Sequence, residues 1–166
     1  WMKNEGPWCW MFTDERRTKA LVFAINHLDL NKQNAFAAKL RWLDGGKTYL
    51  VQEITQTPNG DFTYVFRGEF AGARLQNEGM LVDLAAGMER CAAFWIQEKS
   101  GNHPQVLYAD SAVMSYGKTG QVQGKSNATA RLIIYNPDKK GVEQLALQLD
   151  AQGQATFKTE AVTNKQ

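Results

Sequence analysis

Short apolar runs closed by clusters of turn-forming residues follow one another along this chain, and apolar residues almost nowhere recur with a helical period. The clearest run is residues 142–150, where leucines alternate strictly with glutamine and alanine. Such alternation is typical of a strand with one buried face. About a dozen segments of this kind, without a long helix, predict an all-β protein, an antiparallel β-sandwich of short strands.

The turn-forming residues set the expected strand limits and connections. Asp44-Gly45-Gly46 and Pro58-Asn59-Gly60 supply the residues that tight hairpins require, and successive hairpins predict an antiparallel meander. In that meander, strand 36–43 is half buried and turns back into strand 47–55. The one predicted helical turn covers residues 73–78. Strands are predicted at residues 8–13, 18–27, 36–43, 47–55, 61–67, 80–84, 91–98, 105–116, 117–125, 127–135, 142–150 and 155–159.

The length of 166 residues fits one domain, or one domain with a small appendage. Serine, glycine, asparagine and proline cluster at residues 100–104, which makes this segment the best boundary. We therefore expect a β-sandwich over residues 1–99. The additional strands of residues 100–166 either extend that sandwich or form a small subdomain. The chain starts at Trp1 and lacks a signal-peptide pattern, which indicates a fragment or a processed chain.

Charge and hydropathy exclude two classes of partner. The chain has 19 basic and 17 acidic side chains, a formal charge of +2, which is too small to attract nucleic acid. Its longest apolar runs, such as residues 20–25, contain six residues, far fewer than the roughly 20 that span a bilayer. We expect neither a nucleic-acid partner nor a membrane partner.

Motifs that carry enzyme chemistry are absent from the sequence. No phosphate-binding, dinucleotide-binding or zinc-binding pattern occurs, so we expect no metal site and no cofactor. The aspartates lie at strand ends and turns, where they cap backbone N–H groups, so no catalytic residue is predicted. Cys9 and Cys91 lie in apolar runs and are interpreted as two buried free thiols, with a disulfide in an oxidising compartment as the alternative.

Tryptophan is the one residue type in excess, with five in the chain. Trp8 and Trp10 are two positions apart in a predicted strand and therefore share a face, with Trp1 near them. They form a contact with another domain, pack in the core, or form a flat platform on which sugar rings stack. For the sugar-stacking interpretation the polar neighbours are Asn4, Glu5 and Gln105. The remaining tryptophans, Trp42 and Trp95, are predicted in the core.

Several segments resemble the C-terminal β-sandwich of bacterial α-galactosidases, in glycoside hydrolase family 36 and its clan relatives. They are Thr13-Asp14-Glu15 after a tryptophan-containing strand, KALVFA at 19–24, LRWLD at 40–44 with YLV at 49–51, and GARLQNEGM at 72–80 with VDL at 82–84. The resemblance covers about residues 8–98 and again implies a β-sandwich.

The resemblance also implies a function. In the family an upstream (β/α)₈ barrel carries the two catalytic aspartates of retaining hydrolysis, and none of that barrel is in this chain. The chain would then be a non-catalytic accessory domain whose partner is the upstream catalytic domain of the same parent chain. The alternative is an independent carbohydrate-binding module for galactose-containing glycans. We expect a periplasmic or extracellular parent enzyme.

Overall fold

The computed structural model describes residues 8–25, 34–84, 91–115, 117 and 119–158. The chain divides into two compact units, Trp1–Lys99 and Ser100–Gln166. Trp1, Asn4 and Glu5, which the sequence singled out, lie outside the described residues.

Within the described residues, both units consist almost entirely of antiparallel strands, which confirms the all-β prediction. The first unit contains β1 Trp8–Thr13, β2 Lys19–Ile25, β3 Asn34–Ala38, β4 Thr48–Gln56, β5 Phe62–Ala71, helix α1 Gly72–Asn77, β6 Met80–Leu84 and β7 Cys91–Glu98. The second unit contains β8 Gln105–Ala109, β9 Ala112–Ser115, β10 Thr119–Gln123, β11 Thr129–Asn136, β12 Gly141–Gln148 and β13 Gln154–Lys158.

The first unit is a sandwich of two unequal sheets. Its five-stranded sheet has the order β1-β2-β7-β4-β5, and its second sheet pairs β3 with β6. Strands β2, β4 and β7 of the large sheet and β6 of the small one direct alternate residues into a common core. Leu40, Leu43 and Leu75, which lie outside the strands, complete this core. The fully buried Val22, Val51, Val82 and Ile96 belong to it.

The second unit contains two three-stranded sheets, with the orders β13-β10-β9 and β12-β11-β8. Its core contains Val122 and Phe157 of the first of these sheets and Leu132 of the second. Leu145 and Leu147 pack against this core, while the alternate positions of β12 are exposed. The alternation that was most evident in the sequence is therefore confirmed.

The connection between β3 and β4 differs from the predicted hairpin. Strand β3 ends at Ala38 and pairs with β6, whereas β4 pairs with β5 and β7. After β3 the chain leaves the sheet and forms a turn. In this turn the Leu40 N–H donates to the carbonyl of Leu75, in α1, at 2.9 Å. The turn leaves Trp42 67% exposed, so its predicted core position is wrong. The predicted meander is also wrong, because the large sheet inserts β7 between β2 and β4.

A buried tyrosine holds two turns of the first unit together. The Tyr49 hydroxyl donates to the Arg17 carbonyl at 2.9 Å and accepts the Asp44 N–H at 2.9 Å. Burial raises the pKa of the Tyr49 phenol. Because one side chain fixes both the turn before β2 and the turn before β4, these loops are held in defined positions.

Asp14 closes the β1–β2 hairpin and gives the fold a pH dependence. Its carboxylate accepts the Thr18 hydroxyl at 2.5 Å, the Thr18 N–H at 2.7 Å and the Lys19 N–H at 2.9 Å. The Thr18 hydroxyl above all, and the Lys19 N–H after it, lower the pKa of Asp14. The folded state therefore favours the carboxylate, which stabilises the fold above the unfolded pKa of about 3.9.

We expect Asp14→Asn to lower the Tm at pH 7, and we expect this loss to become smaller as the pH falls toward about 2, because the stabilisation disappears as the pH passes through the lowered pKa of the folded state. Thermal unfolding across this pH range measures the difference between the two proteins. Asp61→Asn is the control, because Asp61 is an exposed aspartate next to the turn before β5. An unchanged difference at both pH values would contradict this assignment.

Candidate functional site

Aromatic side chains cover one face of the five-stranded sheet, on the side opposite its core. Trp10 lies directly opposite Phe23 of β2, and Phe12 lies opposite Leu21, which in turn faces Trp95 of β7. Residues opposite each other in an antiparallel pair share a face. We call this surface the outer aromatic face. Its aromatic members are Trp8, Trp10, Phe12, Phe23, Phe62, Tyr64, Phe66 and Trp95.

The outer aromatic face is most exposed around β1 and at Phe62, the first residue of β5. Trp8 and Trp10 are each 43% exposed, and Phe12 is 61% exposed. The Trp8 and Trp10 rings are 5.7 Å apart with an interplanar angle of 76°, and Phe12 and Phe23 meet at 6.5 Å and 77°. The rings therefore pack edge to face. They do not form the flat platform that was one interpretation of the sequence.

Around β1, the outer aromatic face carries few polar groups. The positions that β1 and β7 contribute bear no charge, and on β2 only Lys19 at one end does. Gln52 lies opposite both Trp95 and Phe66 but is only 1% exposed, and its amide atoms have no hydrogen-bond partner among the described residues. A glycan site needs polar groups placed for sugar hydroxyls, whereas the centre of a protein interface is depleted of charge.

The other residues named from the sequence differ from what was predicted of them. Gln105 is 3% exposed, and its side-chain oxygen accepts the Ser100 N–H at 2.8 Å, so its predicted place beside a glycan is wrong. Trp95 is half-buried on the outer aromatic face rather than in the core. Phe12 and Phe23 were missed, although Phe12 continues the two-residue spacing of Trp8 and Trp10.

The two cysteines are free, and both are exposed, so their predicted burial is wrong. Cys9 and Ala92 both lie opposite Ala24, which places Cys9 on the core side of the sheet. Cys91 faces Ile25 and lies on the outer aromatic face. A disulfide within one molecule is excluded, because β2 separates the two strands and the thiols point to opposite sides. Partial desolvation raises the pKa of the Cys9 thiol.

A separate cavity of about 340 Å³ lies between β5, α1 and β6, lined in part by Arg67, Phe70 and Arg74. Arg67 pairs with Glu53, and Arg74 Nε lies 3.1 Å from a Glu78 carboxylate oxygen. Because carboxylates already neutralise both guanidinium groups, the cavity does not present free positive charge. Across the described residues, no group of three or more metal-ligating side chains comes together. Nor does that part of the chain contain a helix long and apolar enough to cross a membrane.

The described residues of the first unit thus form a two-sheet sandwich whose outer face is aromatic and uncharged along β1. The family model of the glycosyl hydrolase family 36 C-terminal domain matches residues 8–97, more than half of the 166 residues. The chain therefore belongs to this family and carries an accessory domain of a glycoside hydrolase. No curated protein and no solved structure matches the chain.

Proposed function

We propose that this chain is a non-catalytic C-terminal domain of an α-galactosidase-like hydrolase, which docks through its outer aromatic face on an upstream (β/α)₈ catalytic barrel of the same parent chain. The observation that carries the proposal is the exposed, uncharged row formed by Trp8, Trp10 and Phe12 on the edge of that face. Large apolar surfaces of this kind mark interfaces with other proteins or domains.

The composition of the face supports docking over sugar stacking. Aromatic residues are enriched at the centres of interfaces and charged residues are depleted there. The edge-to-face geometry of Trp8 and Trp10 leaves no coplanar pair of indoles for an extended sugar chain. A docked domain, by contrast, can fill the angle between two such rings with its own side chains.

The carboxylates of the sandwich support a non-catalytic role. Asp14 caps the Thr18 and Lys19 amides, and Asp44 accepts the Gly46 N–H at 2.9 Å. Glu98 accepts Lys47 Nζ at 2.8 Å. Retaining hydrolysis needs two carboxyl groups about 5–5.5 Å apart across a glycosidic bond. The acids named here instead stabilise turns and strand ends.

The second candidate function is an independent carbohydrate-binding module. The exposure of Trp8 and Trp10 favours it, since tryptophans buried within their own domain could not contact a glycan. The two candidates differ in what the isolated chain does with sugars, because a module binds them by itself whereas a docking domain needs its barrel.

The test is titration of the purified chain with galactose, melibiose and galactose-containing polysaccharides, together with an assay for hydrolysis of an aryl α-galactoside. We expect no change in tryptophan fluorescence and no hydrolysis. Trp10→Ala and Trp42→Ala are the matched variants, because both replace an exposed tryptophan and only Trp10 lies on the outer aromatic face. Saturable binding that Trp10→Ala alone abolishes would establish the binding module, and hydrolysis by the pure chain would overturn the non-catalytic assignment.

A further inference from the structure

We propose that the free edge of β1 is a dimerisation site, at which β1 pairs antiparallel with β1 of a second copy. The two five-stranded sheets would then form one continuous sheet across a twofold axis. This inference concerns the edge of the sheet and does not depend on what covers the outer aromatic face. It follows from the backbone groups of Cys9, Met11 and Thr13, which no described strand pairs, from the chemistry of β1, and from the register that the strand permits.

The pairing of β1 with β2 identifies the backbone groups that point outward. The Asp14 N–H donates to the Lys19 carbonyl at 3.2 Å, which makes Asp14 and Lys19 a hydrogen-bonded pair. Hydrogen-bonded and non-hydrogen-bonded pairs alternate along an antiparallel ladder, so Trp8, Trp10 and Phe12 bond to β2. The N–H and C=O groups of the intervening residues, Cys9, Met11 and Thr13, therefore point to the free edge.

The next ladder gives the same result independently. The Glu98 N–H donates to the Thr18 carbonyl at 2.6 Å, so the even-numbered residues of β2 bond to β7. The odd-numbered residues of β2 therefore form their backbone hydrogen bonds with β1, which agrees with the pairing deduced from the β1–β2 ladder. Among the described strands, none pairs with β1 on its other side.

The two edges of the five-stranded sheet differ in how they resist pairing. At the β5 edge, Arg67 pairs with Glu53, Gly68 has a φ of +127°, and a bulge interrupts the pairing with β4. Charge, irregular backbone and bulges are the devices that protect sheet edges from unwanted strands. Strand β1 has none of them, since its sequence WCWMFT contains no charge, glycine or proline, and its register with β2 is uninterrupted. An edge without these devices is suited to accept another strand.

The sequence of β1 favours a second copy of itself as that strand. In a register centred on Met11, Met11 faces its own equivalent and Cys9 faces Thr13 of the other copy. All outward N–H and C=O groups of Cys9, Met11 and Thr13 are then paired. The same register places Trp10 opposite Phe12 of the other copy, on one face, so the aromatic rows of both copies become continuous. A symmetric interface of this type is closed and stops at the dimer.

Sedimentation equilibrium of the whole chain under reducing conditions tests the proposal. The wild-type chain of 18.6 kDa is expected to sediment as a dimer. Cys9→Pro removes an outward N–H from each copy and leaves the β1–β2 bonds intact, because proline is tolerated where the N–H faces away from the sheet. We expect a rise of at least about tenfold in the dimer Kd.

Cys9→Ser is the matched control, since it keeps the N–H and removes only the thiol. Thr13→Pro, with Thr13→Ser as its control, removes the outward N–H at the other member of the same pair. Near-UV and far-UV circular dichroism establish that each variant keeps its fold.

Each outcome decides the proposal. Dimers in the wild type and both serine variants, with weakened dimers in both folded proline variants, support it. A wild-type chain that stays monomeric, or a dimer that survives both proline variants, overturns it. A dimer that is lost in Cys9→Ser would depend on the thiol rather than on the backbone N–H of Cys9 and would overturn it as well.

Discussion

Gly72→Ala is expected to lower the free energy of unfolding of the first unit by about 3 kcal/mol, because α1 begins against the backbone of the turn before β4. A Cβ at residue 72 would lie 2.9 Å from the Asp44 carbonyl carbon, and closer still to its oxygen. The Gly72 N–H also donates to the Lys47 carbonyl at 2.7 Å. The Asp44 N–H donates to the Tyr49 hydroxyl. The turn therefore cannot move away from an added methyl group at residue 72 without breaking this second hydrogen bond.

Urea unfolding followed by tryptophan fluorescence measures this effect, because all five tryptophans precede residue 100 and report on the first unit. Gly46→Ala is the control in the same turn. Its Cβ would lie 3.4 Å from a carboxylate oxygen of the exposed Asp44, so we expect a change within about 1 kcal/mol. If Gly72→Ala and Gly46→Ala unfolded at the same urea concentration, the close contact between Gly72 and the turn before β4 would not be important for stability.

The fold could be predicted from the sequence where local pattern and tertiary structure coincide. The limits predicted for β1, β6 and β7 match the structure residue for residue, because each apolar run is bounded by turn residues on both sides. The single turn of α1 was also predicted, between Gly72 and Gly79. Such features depend on neighbouring residues alone, which is the information that periodicity carries.

Pairing between distant strands could not be predicted in the same way. Residues 36–43 alternate like one strand, yet β3 ends at Ala38, and Leu40 and Leu43 reach the core from a turn. The Leu40 N–H finds its partner at Leu75, far along the chain. The alternation of apolar and polar residues does not show whether a strand continues or ends so that one of its N–H groups can donate to a carbonyl far along the chain.

The candidate site could be predicted in part. The spacing of Trp8 and Trp10 correctly placed both rings on one face, because side chains alternate along a strand. Their edge-to-face angle, and the contribution of Phe23 from β2, depend on rotamers and on cross-strand register. The exposure of Cys9 and Cys91 depends on what covers each face of the sheet, and the composition of an apolar run does not determine this.

Trp10→Asp, introduced into the full-length parent enzyme that we propose, is expected to uncouple this domain from the catalytic barrel. A central interface tryptophan contributes roughly 2–4 kcal/mol to docking, and a carboxylate at that position would be buried without a partner. Domains joined by such an interface unfold together, whereas uncoupled domains unfold separately. Scanning calorimetry is therefore expected to show one transition for the wild type and two for Trp10→Asp.

Trp42→Asp is the matched control for this substitution, because Trp42 is more exposed than Trp10 but lies in the turn after β3, away from the outer aromatic face. It is expected to keep the single transition. If Trp10→Asp also kept a single transition at the wild-type temperature, the outer aromatic face would not be the docking surface. If Trp42→Asp alone split the transition, docking would occur at the turn after β3, and the aromatic row of β1 would remain available for a second copy of the chain.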